Sequence, residues 1–334
     1  MTQVLKLDAQ HPQTEAIEQA ASIIRGGGLV AFPTETVYGL GGDAMNERAI
    51  RRIFEAKGRP SDNPLIVHIC DRAMLDLVAN NVGAKAEALI AAFWPGPLTL
   101  VLKGKPEVAE SVSAGLATVA VRMPCSPIAL ELIRRAERPI AAPSANLSGR
   151  PSPTTADHVA RDLDERIDMI LDGGATNIGI ESTVLDMTSE PPVILRPGWI
   201  TREQLEDAIG RVELAATHEA LKRSPGTRHR HYGPRARLVL VENTPAESVK
   251  ELCEALLQDG SVGFIGHTRV AIDNPRFSAI LLENAADEYA RSIYSALREL
   301  DEWGAGVIVV EGISEAGEGA AVMDRLRRAA SEAE

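Results

Sequence analysis

NERAIRRIFEAKGRPSDNPLIVHI, residues 46–69, carries in one stretch the helix-to-strand alternation that makes this an α/β chain. The first half, NERAIRRIFEAKG, has helical periodicity and opens on a capping asparagine, Asn46. The second half, PLIVHI, is a short apolar run that reads as a strand. Between them Lys57 and Arg59 emerge at the helix C-terminus, where a cation suits the helix dipole. That explains one cation. It does not explain why Gly58, Pro60 and Pro64 hold both rigid beside Ser61, Asp62 and Asn63. A rigid pair of cations is what a phosphate or carboxylate site requires.

Outward from this stretch the same alternation continues. GLVAFPT (28–34), LTLVLKG (98–104), TVAVRMP (118–124), RPIAAPS (138–144), STVLDM (182–187) and PVILRPG (192–198) read as strands. AKAEALIAAFW, SPIALELIRRAE and TADHVARDL read as helices, and Thr201–Gln204 spells a capping box. Gly26, Gly27 and Gly28 read as a helix stop, since no Lys or Ser/Thr follows at phosphate-loop spacing. The expectation is an α/β domain with a mixed, largely covered sheet over residues 1–212. A linker or lid over 213–237 follows, then a second domain over 238–334. There RLVLVE, a helix from about 245 to 258, VGFIGH, AILLE, a helix from about 286 to 303, GVIVVEGI and a closing helix suggest a smaller, Rossmann-like doubly wound unit with parallel strands. It carries neither GxGxxG nor GxxxxGK[ST].

Charge is unevenly placed along the 334 residues, whose formal net charge is −12. From Leu238 onward there are 18 acids and 8 bases, whereas 222–237 (KRSPGTRHRHYGPRAR) contributes +6. An acidic chain repels polyanions at long range, so phosphate chemistry must rest on local clusters. The three cysteines are scattered and form no CxxC pair, which points to reduced thiols and a cytoplasmic protein. No signal-peptide layout and no bilayer-length apolar run is seen.

Strand after strand runs into a polar cluster: FPTETVYGL, RPSDNPLIVHI, VAVRMP, APSANLSG, ESTV and ILRPG. Ligands of α/β folds collect where strands end, so six such clusters suggest one shared mouth. Arg122 closes a buried strand and needs an anion, from a salt bridge or from a ligand. His68, taken singly, reads as a core histidine. Ser144, Asn146 and Ser148 lie in a turn, Glu181, Ser182 and Thr183 open a strand, and Arg196 closes one. No Ser-His-Asp, Cys-His or metal-ligand arrangement accompanies them, which favours electrostatic handling of anions over covalent catalysis.

In this order FPTETVYGL, KGRPSDNPLIVHI, WPGPLTLVL, VAVRMP, PSANLSG, ESTVLDM and VILRPG resemble the YrdC-type L-threonylcarbamoyladenylate synthases. The residues after S-P-G-x-x-x-R-H-Y-x-P are similar to the long two-domain form. The resemblance implies a YrdC-like mixed twisted sheet with helices. It implies an enzyme that joins L-threonine, bicarbonate and ATP into threonylcarbamoyl-AMP and pyrophosphate, with Mg²⁺ held mainly by phosphate oxygens. The product passes to the tRNA threonylcarbamoyl-transferase machinery, with no membrane and no stable nucleic-acid binding required. Catalytic roles fall on Lys57 and Arg59. ATP contacts fall on Arg59, Asn63, Thr118, Ser144, Asn146, Ser152, Arg196 and Tyr232. Threonine contacts fall on Thr36, His68, Arg122, the backbone at Ala142, and Ser182. His68 gains its role from the resemblance alone. SPGTRHRHYGPRAR (224–237) then reads as an ordered strap with Tyr232 on ATP. Two alternatives stand beside this reading: an RNA-binding protein using 222–237, and another carbamoyl or acyl-phosphate transfer on the same fold.

Overall fold

The computed structural model describes residues 1–216 and 232–330, and the described chain divides into two compact units. Most of the basic strap, 217–231, lies outside the described residues. The helix expected after Asn46 runs Glu47–Lys57, and the Asn46 side chain accepts from the N–H groups of Arg48 and Ala49. It buries Ala49, Ile50, Ile53 and Phe54, each large apolar side chain contributing about 1.5–3 kcal/mol. Gly58 ends it in the left-handed region at φ 60, returning its N–H to Glu55 and Phe54 carbonyls. The chain then turns through the two prolines into the strand Ile66–His68.

That strand lies near the middle of a mixed sheet of twelve strands among the described residues. It is parallel to Thr118–Arg122 and antiparallel to Ile140–Ala141, with His68 in register with both Arg122 and Ile140. Beyond Thr118–Arg122 come Leu98–Gly104, Thr183–Asp186 and Val193–Arg196 in order. Beyond Ile140–Ala141 come Tyr38–Asp43 and Val30–Pro33. Every residue of these last two strands is buried, as a sheet covered on both faces requires. Among the described residues of the unit, apolar clusters pack around Leu40, Ile53, Val67 and Leu100, around Ile17, Phe32, Leu132 and Leu171, and around Ile66, Val101 and Leu195. Gly26 caps the helix Thr14–Arg25, and the capping box at Thr201 is formed on both sides.

The second unit is a four-stranded parallel sheet in the order Arg237–Val241, Val307–Glu311, Val262–Gly266, Phe277–Leu281. Helices Ala246–Leu256, Ala286–Trp303 and Gly319–Ala330 accompany it. The strand read at AILLE (279–283) sits two residues earlier, because all five residues from Phe277 pair in register with Val262–Gly266. Pairing, not apolarity, sets its bounds. The unit also takes in Gly149–Pro151 and Ile178–Ile180. Gly233 N–H donates to the Gly149 carbonyl at 3.0 Å, and the Arg298 guanidinium donates to the Pro151 carbonyl at 2.5 Å. Gly179 approaches so closely that a Cβ there would meet the Ala290 carbonyl oxygen at 2.2 Å. Among the described residues no helix is long and apolar enough to cross a membrane.

Candidate active site

The strand ends bring Thr36, His68 and Arg122 together. Arg122 is 3% exposed and spends its donors on three partners. Nε donates to the Gly96 carbonyl at 3.2 Å, one terminal nitrogen to Thr36 Oγ1 at 2.9 Å, and the other to Glu35 Oε1 at 2.5 Å. Thr36 is held in turn by Thr34, whose hydroxyl lies 2.8 Å away and donates to the Val37 carbonyl. Glu35 is equally buried, and its second oxygen accepts from the Cys125 N–H at 3.1 Å. The anion that Arg122 requires is therefore Glu35, which the sequence reading passed over between two threonines.

His68 lies beside Arg122 in the ladder and is 3% exposed. Burial, reinforced by the Arg122 charge, pushes its pKa down to about 3, so the imidazole is neutral at neutral pH. Its Nδ1 is buried and has no hydrogen-bond partner among the described residues. A buried nitrogen left unpaired costs about 1–3 kcal/mol, a cost that a ligand would remove. The expectation of a satisfied core histidine is corrected here: the ring is buried against the edge of Phe32, yet its hydrogen bonding is incomplete.

A second group forms around Lys57, which is 2% exposed. Its ammonium donates to the carbonyls of Ser144 and Asn146, both at 2.5 Å. Ser148 N–H bonds back to the Lys57 carbonyl, and the Ser144 hydroxyl donates to Asn146 Oδ1 at 2.5 Å. Lys57 thus organises the PSANLSG turn. Arg59, half-buried, donates to the Pro64 carbonyl at 3.1 Å and lies next to the fully buried Asn63. The proline-framed turn holds Arg59 through its carbonyls, whereas the Lys57 ammonium is held from the Ser144–Asn146 turn, so the expectation that one rigid turn holds both cations is corrected.

A third group joins Arg196 to Ser182. Nε and Nη2 of Arg196 both reach the Ser182 carbonyl, at 3.1 and 2.9 Å, and Nη2 lies 3.2 Å from the Ser182 hydroxyl. Thr99 shares a 2.8 Å hydrogen bond with that hydroxyl. Ser152 is fully buried and donates to Glu181, a partner that sequence reasoning left unassigned. Ala142 is buried with its N–H on the Ile66 carbonyl. Thr118 opens the strand that Arg122 closes, so the two stand about 13 Å apart along it. Tyr232 belongs to the second unit, stacked on Tyr294 at 5.8 Å between centroids with the Arg325 guanidinium 5.3 Å from its ring.

Buried cations ending strands, a neutral histidine with an open nitrogen and hydroxyl-rich turns together define an α/β enzyme that binds anionic groups by preset electrostatics. Residues 22–198 match the Sua5/YciO/YrdC family model, described as telomere recombination. Residues 200–331 match the model of the threonylcarbamoyl-AMP synthase C-terminal domain. The chain is 49% identical to the threonylcarbamoyl-AMP synthase of Pyrococcus abyssi, over 94% of this chain and 93% of that one. It is 46% identical to the threonylcarbamoyl-AMP synthase of Bacillus subtilis, over 97% and 95%. The crystal structure of P. abyssi Sua5 complexed with L-threonine superposes with a TM-score of 0.93 at 46% identity, covering 98% of each chain. The chain belongs to the threonylcarbamoyl-AMP synthase family.

Proposed function

We propose that this chain is an L-threonylcarbamoyladenylate synthase, making threonylcarbamoyl-AMP and pyrophosphate from L-threonine, bicarbonate and ATP. The supporting observation is the presence in one unit of a buried arginine flanked by hydroxyls and a neutral histidine, and of a lysine-organised Ser-x-Asn turn. The first suits an amino acid; the second suits a nucleotide phosphate. The P. abyssi relative binds L-threonine in its crystal structure, and the same ligand is assigned here to Thr36, His68, Arg122, Ala142 and Ser182. Within the first unit, ATP is assigned to Arg59, Asn63, Thr118, Ser144, Asn146, Ser152 and Arg196.

The chemistry follows from charge. The amine of threonine and bicarbonate condense to a carbamate with loss of water. A carbamate oxygen attacks the α-phosphorus of ATP, and pyrophosphate leaves with the bridging oxygen. The attacking oxygen is already anionic, so no general base is needed at this step. The obstacle is an anion approaching a triphosphate, and Arg59 and Arg196 offset that repulsion while Lys57 holds the turn that seats the nucleotide. Among the described residues no group of three or more His, Cys, Asp or Glu forms a metal cage. We read Mg²⁺ as entering with the triphosphate, held mainly by phosphate oxygens, as part of the substrate. The carbamate loses carbon dioxide readily and the mixed anhydride hydrolyses, so exclusion of water is a requirement of the site. The product serves threonylcarbamoyl transfer to the adenosine beside the anticodon of tRNA by a separate machinery in the cytoplasm.

The decisive assay is pyrophosphate release. It should need L-threonine, bicarbonate and ATP together; release as fast without threonine would overturn the reading.

A further inference from the structure

We propose that Glu35 sets the charge that the amino-acid pocket accepts, making it select a zwitterion over a simple anion. The inference rests on the reading of Arg122 as the holder of the substrate carboxylate. Alone, a buried guanidinium attracts any small anion that fits, carboxylate, bicarbonate or phosphate alike. Arg122 is not alone. Glu35 lies 2.5 Å from it with both side chains almost wholly buried, at 4% and 5% exposure. Of the other titratable groups facing this pair, His68 is neutral, and burial and the Glu35 carboxylate push the Cys125 thiol up to about 11, so it is neutral as well. The charges of Arg122 and Glu35 therefore cancel before any ligand arrives.

An amino acid carries a carboxylate and an ammonium and enters this pocket without changing its net charge. An analogue lacking the ammonium brings an uncompensated negative charge into a buried site that already holds one carboxylate. In so desolvated a place that charge is screened weakly. Glu35 thereby rejects anions that resemble threonine in shape, while the two N–H groups of Arg122 beyond those given to Gly96, Thr36 and Glu35 grip a carboxylate. The second oxygen of Glu35, anchored on the Cys125 N–H, prevents the carboxylate from swinging aside to admit them. Glu35 acts here through charge and through the position of Arg122, and makes no bond to reacting atoms.

Titration calorimetry on the full chain tests this with two ligands, L-threonine and 2,3-dihydroxybutyrate, in which a hydroxyl replaces the ammonium. Wild type should favour threonine by about 100-fold, and Glu35→Gln should shrink that ratio at least about tenfold, chiefly through tighter binding of the hydroxy acid. Glu35→Asp keeps the charge with a shorter reach, so it should weaken both ligands and preserve the ratio within about threefold. A Gln variant with the wild-type ratio, or an Asp variant that loses it, would overturn the proposal. ATP affinity and thermal midpoint report whether each variant is folded. If Gln does not fold, the Asp ratio alone decides. Arg122→Met separates the two layers. If it leaves threonine binding intact, the assignment of Arg122 fails; if it abolishes binding while Glu35→Gln leaves the ratio unchanged, only the role of Glu35 fails.

Discussion

Two arginines are buried to a similar degree in the two units, and they are put to different use. Arg122 closes a strand of the first unit at 3% exposure; Arg325 lies on the helix Gly319–Ala330 of the second at 1%. Each has a carboxylate close by, Glu35 at 2.5 Å and Asp324 at 2.6 Å. Arg325 completes a stack, with its guanidinium near the ring of Tyr232 and that ring on Tyr294. The stack also holds Tyr232 at φ 70, a left-handed conformation that costs a bulky residue about 1–3 kcal/mol. Arg122 instead faces Thr36 and the incomplete hydrogen bonding of His68. Burial of a cation is thus shared by scaffold and site. What separates them is a neighbouring polar atom, His68 Nδ1, for which the described residues supply no hydrogen bond.

The sharpest test of this contrast lies in Lys57 and Arg59. Lys57→Ala removes the ammonium that ties Ser144 to Asn146 and should lower threonine-dependent pyrophosphate release by about a thousandfold or more. Arg59→Ala, which removes the other cation assigned to the chemistry, should do the same. Near wild-type rates in both would remove the first unit's claim to the chemistry. Arg122→Met comes next. It should raise KM for threonine about 100-fold while KM for ATP moves less than about threefold. Equal changes in both constants would mean that Arg122, like Arg325, is scaffold.

The sequence carried the local features of this design and lost the remote ones. The helix Glu47–Lys57, its stop at Gly58 and the rigid turn after it were legible because caps, glycine and proline act within a few residues. His68 was not, since an apolar run hides which side chain will be left one bond short. That fact arises only when its strand pairs with Thr118–Arg122. Glu35 escaped notice for the same reason: its partner comes from a distant strand. The assignment of Gly149–Pro151 and Ile178–Ile180 to the second unit rests on packing against the helix Ala286–Trp303, for which three-residue loops carry no periodic signal.

A smaller effect is expected from His68 in stability. Its folded pKa, about 3, lies below the ordinary value of 6.5, so the unfolded chain binds the extra proton between these limits. Stability is full above about pH 6.5 and falls as pH drops toward 3, at about 1.4 kcal/mol per unit. Urea unfolding at pH 7 and pH 5 should show about 2 kcal/mol of loss from this residue, absent in His68→Asn. Equal losses in both proteins would mean that the imidazole is not held neutral. Saturating threonine should raise stability by the same amount at pH 7 and pH 5, because the folded ring is neutral at both, so the size of the His68 loss should not change.

The smallest expected effect on threonine binding belongs to the second unit. Burial would raise the pKa of Asp324, but Arg325 and Arg328 beside it prevail and hold it below the usual carboxylate range. A depressed carboxylate contributes stability above its unfolded pKa and loses it as pH falls through the lower folded value. The loss therefore lies below about pH 4, beneath the window of His68. Arg325→Met removes one of the two cations and uncovers one side of Tyr232. It should cost about 1–3 kcal/mol at pH 7 and flatten the acid limb below pH 4, because Asp324 then has less to lose. Threonine affinity should stay within about twofold of wild type. An Arg325→Met protein of unchanged stability and tenfold weaker threonine binding would reverse the contrast, placing the ligand-facing arginine in the second unit.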